Sequence, residues 1–202
     1  MSSSIEPERE PQDEAPHQAV GRFLRDWLVV IFIALSAALL VRMYVLQQYY
    51  ISGPSMESTL FENDRVLVNK LSYRLHDIRH GDVIVFDRVT SNGASVAHDD
   101  LIKRVIGLSG DKVEIKSCVV YVNGTALKEP YLDKGNLSQV ILEDRCRQPN
   151  MATVTVTAGQ VFVMGDNRPE SFDSRSFGTI SESLVVGRAF VVVWPFNSWQ
   201  FL

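Results

Sequence analysis

Lys112-Val-Glu-Ile-Lys-Ser-Cys-Val-Val-Tyr-Val-Asn-Gly124 decides the fold class of this chain. It holds two short runs of β-branched and aromatic residues, and Asn123-Gly124 adds a tight-turn signal directly after the second. Runs of the same kind recur on both sides: Arg65-Val-Leu-Val-Asn69, Asp82-Val-Ile-Val-Phe86, Gln160-Val-Phe-Val-Met164 and Leu184-Val-Val-Gly-Arg-Ala-Phe-Val-Val-Val193. Gly, Asn and Asp punctuate them. No long segment of 3.6-residue periodicity follows residue 50. The pattern predicts a mainly β fold, with antiparallel strands arranged as coiled sheets or a partly closed β-barrel. Residues 90–100 are polar and read as an exposed loop. Residues 133–152 read as a polar insertion. No internal repeat is visible.

Upstream the pattern changes. Trp27-Leu-Val-Val-Ile-Phe-Ile-Ala-Leu-Ser-Ala-Ala-Leu-Leu-Val41 is uncharged, and Met43-Tyr-Val-Leu46 continues it beyond Arg42. Together they supply about 20 residues, the length a helix needs to cross the hydrocarbon core. Arg42 lies near the far end, where its side chain can snorkel to the headgroups. Trp27 at one end and Tyr44, Tyr49 and Tyr50 at the other fit interfacial belts. A cleaved signal peptide would be shorter and followed by a small-x-small site, which is absent. A buried core helix rarely needs so long an uncharged run. The expected layout is a disordered cytoplasmic tail over 1–21, a transmembrane anchor helix over 22–48, and an extracytoplasmic β-rich domain over 49–202. Arg22 and Arg25 precede the span, which places the N-terminus inside by the positive-inside rule.

The chain has 202 residues, enough for one globular domain with appendages, and 46% hydrophobic residues, enough for a core. A net charge of -4 argues against nucleic acid as a partner. Cys118 and Cys146 are the two cysteines. Outside the cytoplasm a disulfide is allowed, and the sequence leaves open whether they pair. Two cysteines and four scattered histidines make no metal-ligand spacing. No metal and no cofactor are expected.

The chemistry rests on Ser55, in Ile51-Ser-Gly-Pro-Ser-Met56, and Lys103, in Asp100-Leu-Ile-Lys-Arg-Val-Ile106. A serine hydroxyl needs a base to take its proton. Histidine is the usual base, but His17, His76, His80 and His98 all sit in polar surroundings, so a Ser-His-Asp triad has little support. Lysine serves only when neutral, and at a reference pKa of about 10.4 roughly one in a thousand is neutral near pH 7.4. An apolar wall can lower that pKa by several units. In a strand, Lys103 shares its face with Leu101 and Val105. Taken singly, Ser55 reads as a turn serine and Lys103 as an edge lysine beside Arg104. Gly53 and Pro54 set an unusual backbone before Ser55, which could aim backbone N–H groups at an oxyanion.

Taken together, the motifs resemble the ordered boxes of bacterial type I signal peptidases. They are Ser52-Gly-Pro-Ser-Met-Glu-Ser-Thr-Leu60, Gly81-Asp-Val-Ile-Val-Phe86, Leu101-Ile-Lys-Arg-Val-Ile-Gly-Leu-Ser-Gly-Asp111 and Gly165-Asp-Asn-Arg-Pro-Glu-Ser-Phe-Asp-Ser-Arg175. Val120-Tyr-Val-Asn-Gly124 and Glu129-Pro-Tyr131 also match, so the resemblance spans about residues 20–195. It implies a Ser-Lys serine endopeptidase of the cell membrane that removes signal peptides from exported preproteins after a small-x-small motif. Ser55 is then the nucleophile and Lys103 the general base. Ser171 orients the lysine, Asp173 and Arg175 form a supporting pair, and Ile51 and Ile102 wall the substrate pocket. Its partners would be preproteins and the lipid bilayer. The chain departs from the family at Ser58 and Ser109, where many members have Pro, with small effects expected. It also has Gly53 where some members carry a hydroxyl oxyanion donor. The runner-up is an inactive membrane-anchored scaffold of the same fold. A β-lactamase-type acyltransferase would need Ser-Asp-Asn and Lys-Thr-Gly, which are missing. A self-cleaving repressor would want a DNA-binding module in place of a span.

Overall fold

A computed structural model describes residues 16–91, 96–132, 146 and 148–202. The chain divides into two units between Arg42 and Met43. The first contains helix α1 (Pro16–Tyr44) except for its last two residues. Its stretch Gly21–Tyr44 has a mean hydropathy of 2.2 and contains no buried residue. At 1.5 Å per residue those 24 residues span about 36 Å, enough to cross a bilayer core. The helix stops short of the expected anchor end at residue 48. Gln47 and Gln48 lie instead in strand β1 (Leu46–Tyr50), whose backbone pairs with β2 (Arg65–Asn69). Two adjacent glutamines suit a half-exposed edge strand better than a lipid-facing helix end.

The second unit is built from two antiparallel sheets. The larger sheet adds β3 (Val83–Ser91), β4 (Val96–Gly107), β9 (Gln160–Met164), β10 (Ile180–Ser181) and β11 (Val185–Trp194) to β1 and β2, in the order β1-β2-β11-β3-β4-β9-β10. Strand β12 (Gln200–Phe201) pairs with β11. The smaller sheet runs β7 (Thr125–Ala126), β6 (Val119–Val122), β5 (Lys112–Lys116), β8 (Met151–Thr155). The opening stretch of sequence is thus the β5–β6 hairpin and its turn into β7. Of the two forms expected, coiled sheets describe the unit. The larger sheet does not close into a barrel, because β1 and β10 stand at opposite ends and do not pair.

Alternation along the strands gives the larger sheet two apolar faces. Val66, Val68, Val83, Val85, Ala189 and Val192 bury one face together with Ile51, Met56 and Leu60. Ile84, Phe86, Val105, Val161, Val163 and Ile180 bury the other. Ile106, Phe162 and Met164 join the smaller sheet's Val113, Ile115 and Val120 in a third cluster.

Residues 90–100 are not a simple loop. Strands β3 and β4 continue as a ribbon to the pair Ser91↔Val96, and only residues 92–95 fall outside the described chain. Backbone pairing carries this polar ribbon, helped across it by a hydrogen bond between His98 and Asp87 (2.7 Å) and an ion pair between Arg88 and Asp99 (3.4 Å). Of the expected insertion at 133–152, residues 133–145 and 147 lie outside the described residues, and 151–152 open β8. The tail over 1–15 also lies outside them.

Cys118 and Cys146 form a disulfide with Cα atoms 5.7 Å apart, closing a loop of sequence separation 28. Changing both to serine should lower the unfolding free energy by about 3–4 kcal/mol, the loop-entropy value for that length. Denaturant unfolding of the oxidised protein and the double variant checks this, and equal midpoints would contradict it.

Candidate active site

The loop between β1 and β2 carries Ser55. Its base is cinched by Ile51 N–H donating to Asp64 O (2.9 Å) and Asn63 N–H donating to Ile51 O (3.0 Å). Its middle is a compact turn in which Glu57 N–H reaches Pro54 O (3.0 Å) and Leu60 N–H reaches Met56 O (2.9 Å). Met56 and Leu60 are buried in the core and pin the turn to the sheet. Gly53 has φ +87°, which a Cβ would strain. The turn thus presents Ser55 at a fixed height, half-buried. The Ser55 N–H donates to no group among the described residues and is available to a ligand.

Lys103 lies on β4 opposite Ile84 and is only 3% exposed. Its Nζ sits 2.7 Å from Ser55 Oγ and 2.8 Å from its second partner, the carbonyl of Ile102. Nζ donates to both oxygens, and once the amine is neutral the same short contact lets its lone pair take the serine proton. Burial pushes the Lys103 pKa down to about 8. Asp173 and Asp166 pull the other way, and Arg88 reinforces the lowering.

Each of those two acids is committed to its own arginine. Asp173 accepts Arg175 Nε (2.8 Å), Arg175 Nη2 (2.7 Å) and the Gly165 N–H (3.0 Å). Burial alone would raise its pKa, but the Arg175 guanidinium and the Gly165 N–H outweigh that and hold it below the carboxylate range. Asp166 accepts Arg104 Nε (2.9 Å) and Nη2 (2.6 Å) in a buried fork. Arg104 also donates to Gly81 O (2.9 Å) and lies 4.0 Å from the Tyr131 ring centroid. Neighbouring residues of one strand therefore point a lysine at the serine and an arginine at the opposite face. The Arg104–Asp166 pair is the part that sequence reasoning missed. Its signal was a second cation inside an apolar strand, facing away from Lys103.

Ser171 differs from the expected orienting role. It is buried, but its hydroxyl makes no hydrogen bond of ordinary geometry and does not bond Lys103. The lysine's polar contacts are already taken by Ser55 and Ile102. The Ser171 hydroxyl lies near enough to Asp173 to help keep that carboxylate ionised, and it abuts Gly165. Asp173 and Arg175 do pair, beside Gly165. Ile51 is a core residue, and Ile102 packs half-buried against the same cluster beside the lysine. Ser58, expected to be a neutral exchange for Pro, has φ 98° and donates its hydroxyl to Tyr131 O (3.0 Å). A proline ring, locked near φ -65°, cannot adopt that turn. Among the described residues no group of three or more His, Cys, Asp or Glu side chains could hold a metal ion. His80 pairs with Asp111 (2.7 Å) and His98 with Asp87, so neither reaches Ser55.

A serine hydroxyl in contact with a desolvated lysine is the arrangement of a serine hydrolase with a lysine base. Residues 24–194 match the family described as signal peptidase, peptidase S26. The chain is 35% identical to a probable signal peptidase I-2 of Synechocystis sp., over 96% of this chain and 83% of that one. It is 34% identical to signal peptidase IB of Staphylococcus aureus (88% and 93%) and 37% identical to signal peptidase I of Bacillus caldolyticus (84% and 91%). A crystal structure of a signal peptidase I from Enterococcus faecalis aligns at 32% identity with a TM-score of 0.42, over 56% of this chain and 97% of that one. The chain belongs to the peptidase S26 signal peptidase family.

Gly165 is the tightest point of the site. A Cβ there would collide with the Ser55 carbonyl and with the Ser171 side chain. The collision with backbone cannot be relieved by a rotamer change, so Gly165→Ala should displace Ser55 and cut turnover by ~100-fold, the cost of roughly 1 Å of misplacement. Steady-state cleavage by the variant, with circular dichroism to verify folding, checks this. Turnover within threefold of wild type would contradict it.

Proposed function

We propose that this chain is a membrane-anchored serine endopeptidase that removes signal peptides from exported preproteins after a small-x-small motif, with Ser55 as nucleophile and Lys103 as general base. The observation that carries this reading is the 2.7 Å contact between Ser55 Oγ and a lysine amine that is 3% exposed.

The steps follow from the groups in place. Lys103 takes the hydroxyl proton as Ser55 Oγ attacks the scissile carbonyl. The free Ser55 N–H donates to the oxyanion that develops. The ammonium formed on Lys103 is favoured by the Asp173 and Asp166 charges, and it passes its proton to the leaving amine. Water then attacks the acyl-serine, with Lys103 again as base. The substrate would lie extended along residues 99–103 of β4, which pair with β3 on one side and with no strand on the other among the described residues. Crowding by Ile51 and Ile102 favours small side chains beside the scissile bond. Ser171, Asp173 and Arg175 support the dyad through Gly165.

Several features support work at a membrane. Helix α1 is long and apolar enough to span. The peptidase unit itself exposes Trp194, Phe196, Trp199 and Phe201. Arg22 and Arg25, ahead of the uncharged run that starts at Trp27, support an N-terminus in the cytoplasm and a peptidase unit on the extracytoplasmic side. No observation favours an inactive scaffold, since both dyad side chains are present and in contact.

Purified protein in detergent should cleave a reporter preprotein after its small-x-small site. Ser55→Ala and Lys103→Arg should each lose that cleavage, because guanidinium stays charged and cannot act as base. The wild-type rate should fall as pH drops through about 8, where Lys103 protonates. Cleavage by Lys103→Arg at the wild-type rate, or a flat profile down to about pH 5, would contradict the lysine base.

A further inference from the structure

We propose that Glu129 is a positioning residue for the Ser55–Lys103 pair, locking the nucleophile turn and the base strand together from the smaller sheet. The proposal rests on the dyad reading above. Glu129 lies in the strap that leaves β7. On one side Leu127 is fixed to the smaller sheet, its N–H donating to Val120 O (2.8 Å) and its side chain packing on that sheet's core. On the other side Leu132 N–H donates back to Glu129 O (3.0 Å) and turns the chain. From this strap three contacts reach the catalytic sheet.

The first starts at the Glu129 carboxylate. It accepts the Arg168 guanidinium on both oxygens and the Tyr131 hydroxyl (2.8 Å). The Glu129 and Arg168 side chains are each only 12% exposed. Arg168 Nε then donates to Gly165 O (3.0 Å), and Arg175 Nη2 donates to Arg168 O (2.7 Å). Glu129 therefore orients the guanidinium that holds the Gly165 peptide. Gly165 is the residue against which the Ser55 carbonyl and the Ser171 hydroxyl pack. The same loop also grips the nucleophile directly, as Asn167 N–H donates to Ser55 O (3.1 Å).

The second contact is the Tyr131 ring, which covers the Arg104 guanidinium. Arg104 follows Lys103 on β4 and is tied to Asp166, the residue after Gly165. The third is Tyr131 O, which accepts the Ser58 hydroxyl (3.0 Å) three residues after the nucleophile. One short strap thus touches the turn that carries Ser55, the loop beneath it and the strand that carries Lys103. Glu129 is the group that joins two of these paths, because it holds both Arg168 and Tyr131.

The chemistry asks for a carboxylate. An ionised acid presents two oxygens that only accept, which suits a guanidinium fork and a phenol at once. Glutamine has one accepting oxygen and an NH2 group, so it must drop a bond or set a donor against Arg168. None of these groups touches the reacting atoms, so Glu129 acts through geometry alone. A carboxylate that merely stabilised the fold would change the melting temperature and leave turnover per folded molecule alone.

The test uses the full chain in detergent. It measures the acylation rate of Ser55 by a serine-reactive acylating inhibitor, together with kcat and KM on a reporter preprotein, normalised to folded protein. Glu129→Gln should slow acylation and kcat by ~10–100-fold, the size expected of a displacement of up to about 1 Å, and should move KM less than about threefold. Glu129→Gln combined with Arg168→Gln should be no slower than the slower single variant, because both act through the Gly165 peptide. Tyr131→Phe removes only the hydroxyl and keeps the ring over Arg104, so it should show a smaller loss of the same kind, about threefold.

A folded Glu129→Gln that acylates within about twofold of wild type would overturn the proposal, as would a loss confined to KM or losses that simply multiply in the double variant. If Glu129→Gln does not fold, Tyr131→Phe decides, and an unchanged acylation rate in that variant overturns the proposal. A folded wild type that is not acylated at Ser55 would overturn the dyad reading and this proposal with it.

Discussion

Everything in this site depends on keeping one amine out of water. In the proposed mechanism Lys103 can act as base only because burial lowers its pKa from 10.5 to about 8. That burial costs folding free energy on the order of 3 kcal/mol at neutral pH. The sign follows from proton binding. Between about 8 and 10.5 the unfolded lysine holds a proton that the folded one has released. Stability therefore rises with pH across that window, and the full cost is present below it. The fold carries this cost on a strand buried by three clusters of core residues, where a lysine at the surface would carry none.

Two carboxylates near a buried lysine would normally keep it charged. Here Asp173 and Asp166 are each bound by a fork of arginine N–H groups, so most of their field is spent on Arg175 and Arg104. What remains still raises the Lys103 pKa, but less than burial lowers it. In the proposed mechanism this residual attraction favours the ammonium that forms during attack. The arrangement is thus balanced. An unpaired acid beside Lys103 would hold the base protonated, and removing both acids would leave the transient ammonium without nearby negative charge.

Much of this was legible in the sequence. The β runs at 65–69, 112–116, 119–122 and 160–164 coincide with β2, β5, β6 and β9, because β-branched residues and turn signals act locally. The same logic failed at 90–91 and 96–100, where a polar sequence masked strands held by backbone pairing. It also failed at Leu46–Tyr50, where an apolar flank ran the expected helix past its end. For the site, Ser55 and Lys103 could be proposed as a pair because their motifs resemble a family, and the Asp173–Arg175 pair came with them. Local pattern alone favoured a turn serine and an edge lysine. The contact of Arg104 with Asp166, 62 positions away, has no local signature. Nor does the crowding at Gly165, which arises only when two loops meet. Ser171 shows the converse limit: a matched motif implied a hydrogen bond that the packing does not make.

The most direct measurement is the titration of Lys103 itself. NMR of protein labelled with 13C at lysine Cε, with Lys103→Met used to assign the resonance, reports the protonation of each amine separately. The account predicts one lysine that titrates near pH 8, well below the rest, and whose signal is absent from the variant. A Lys103 that titrates with the other lysines near pH 10.5 would show that burial does not make the neutral amine accessible, and it would contradict the lysine base.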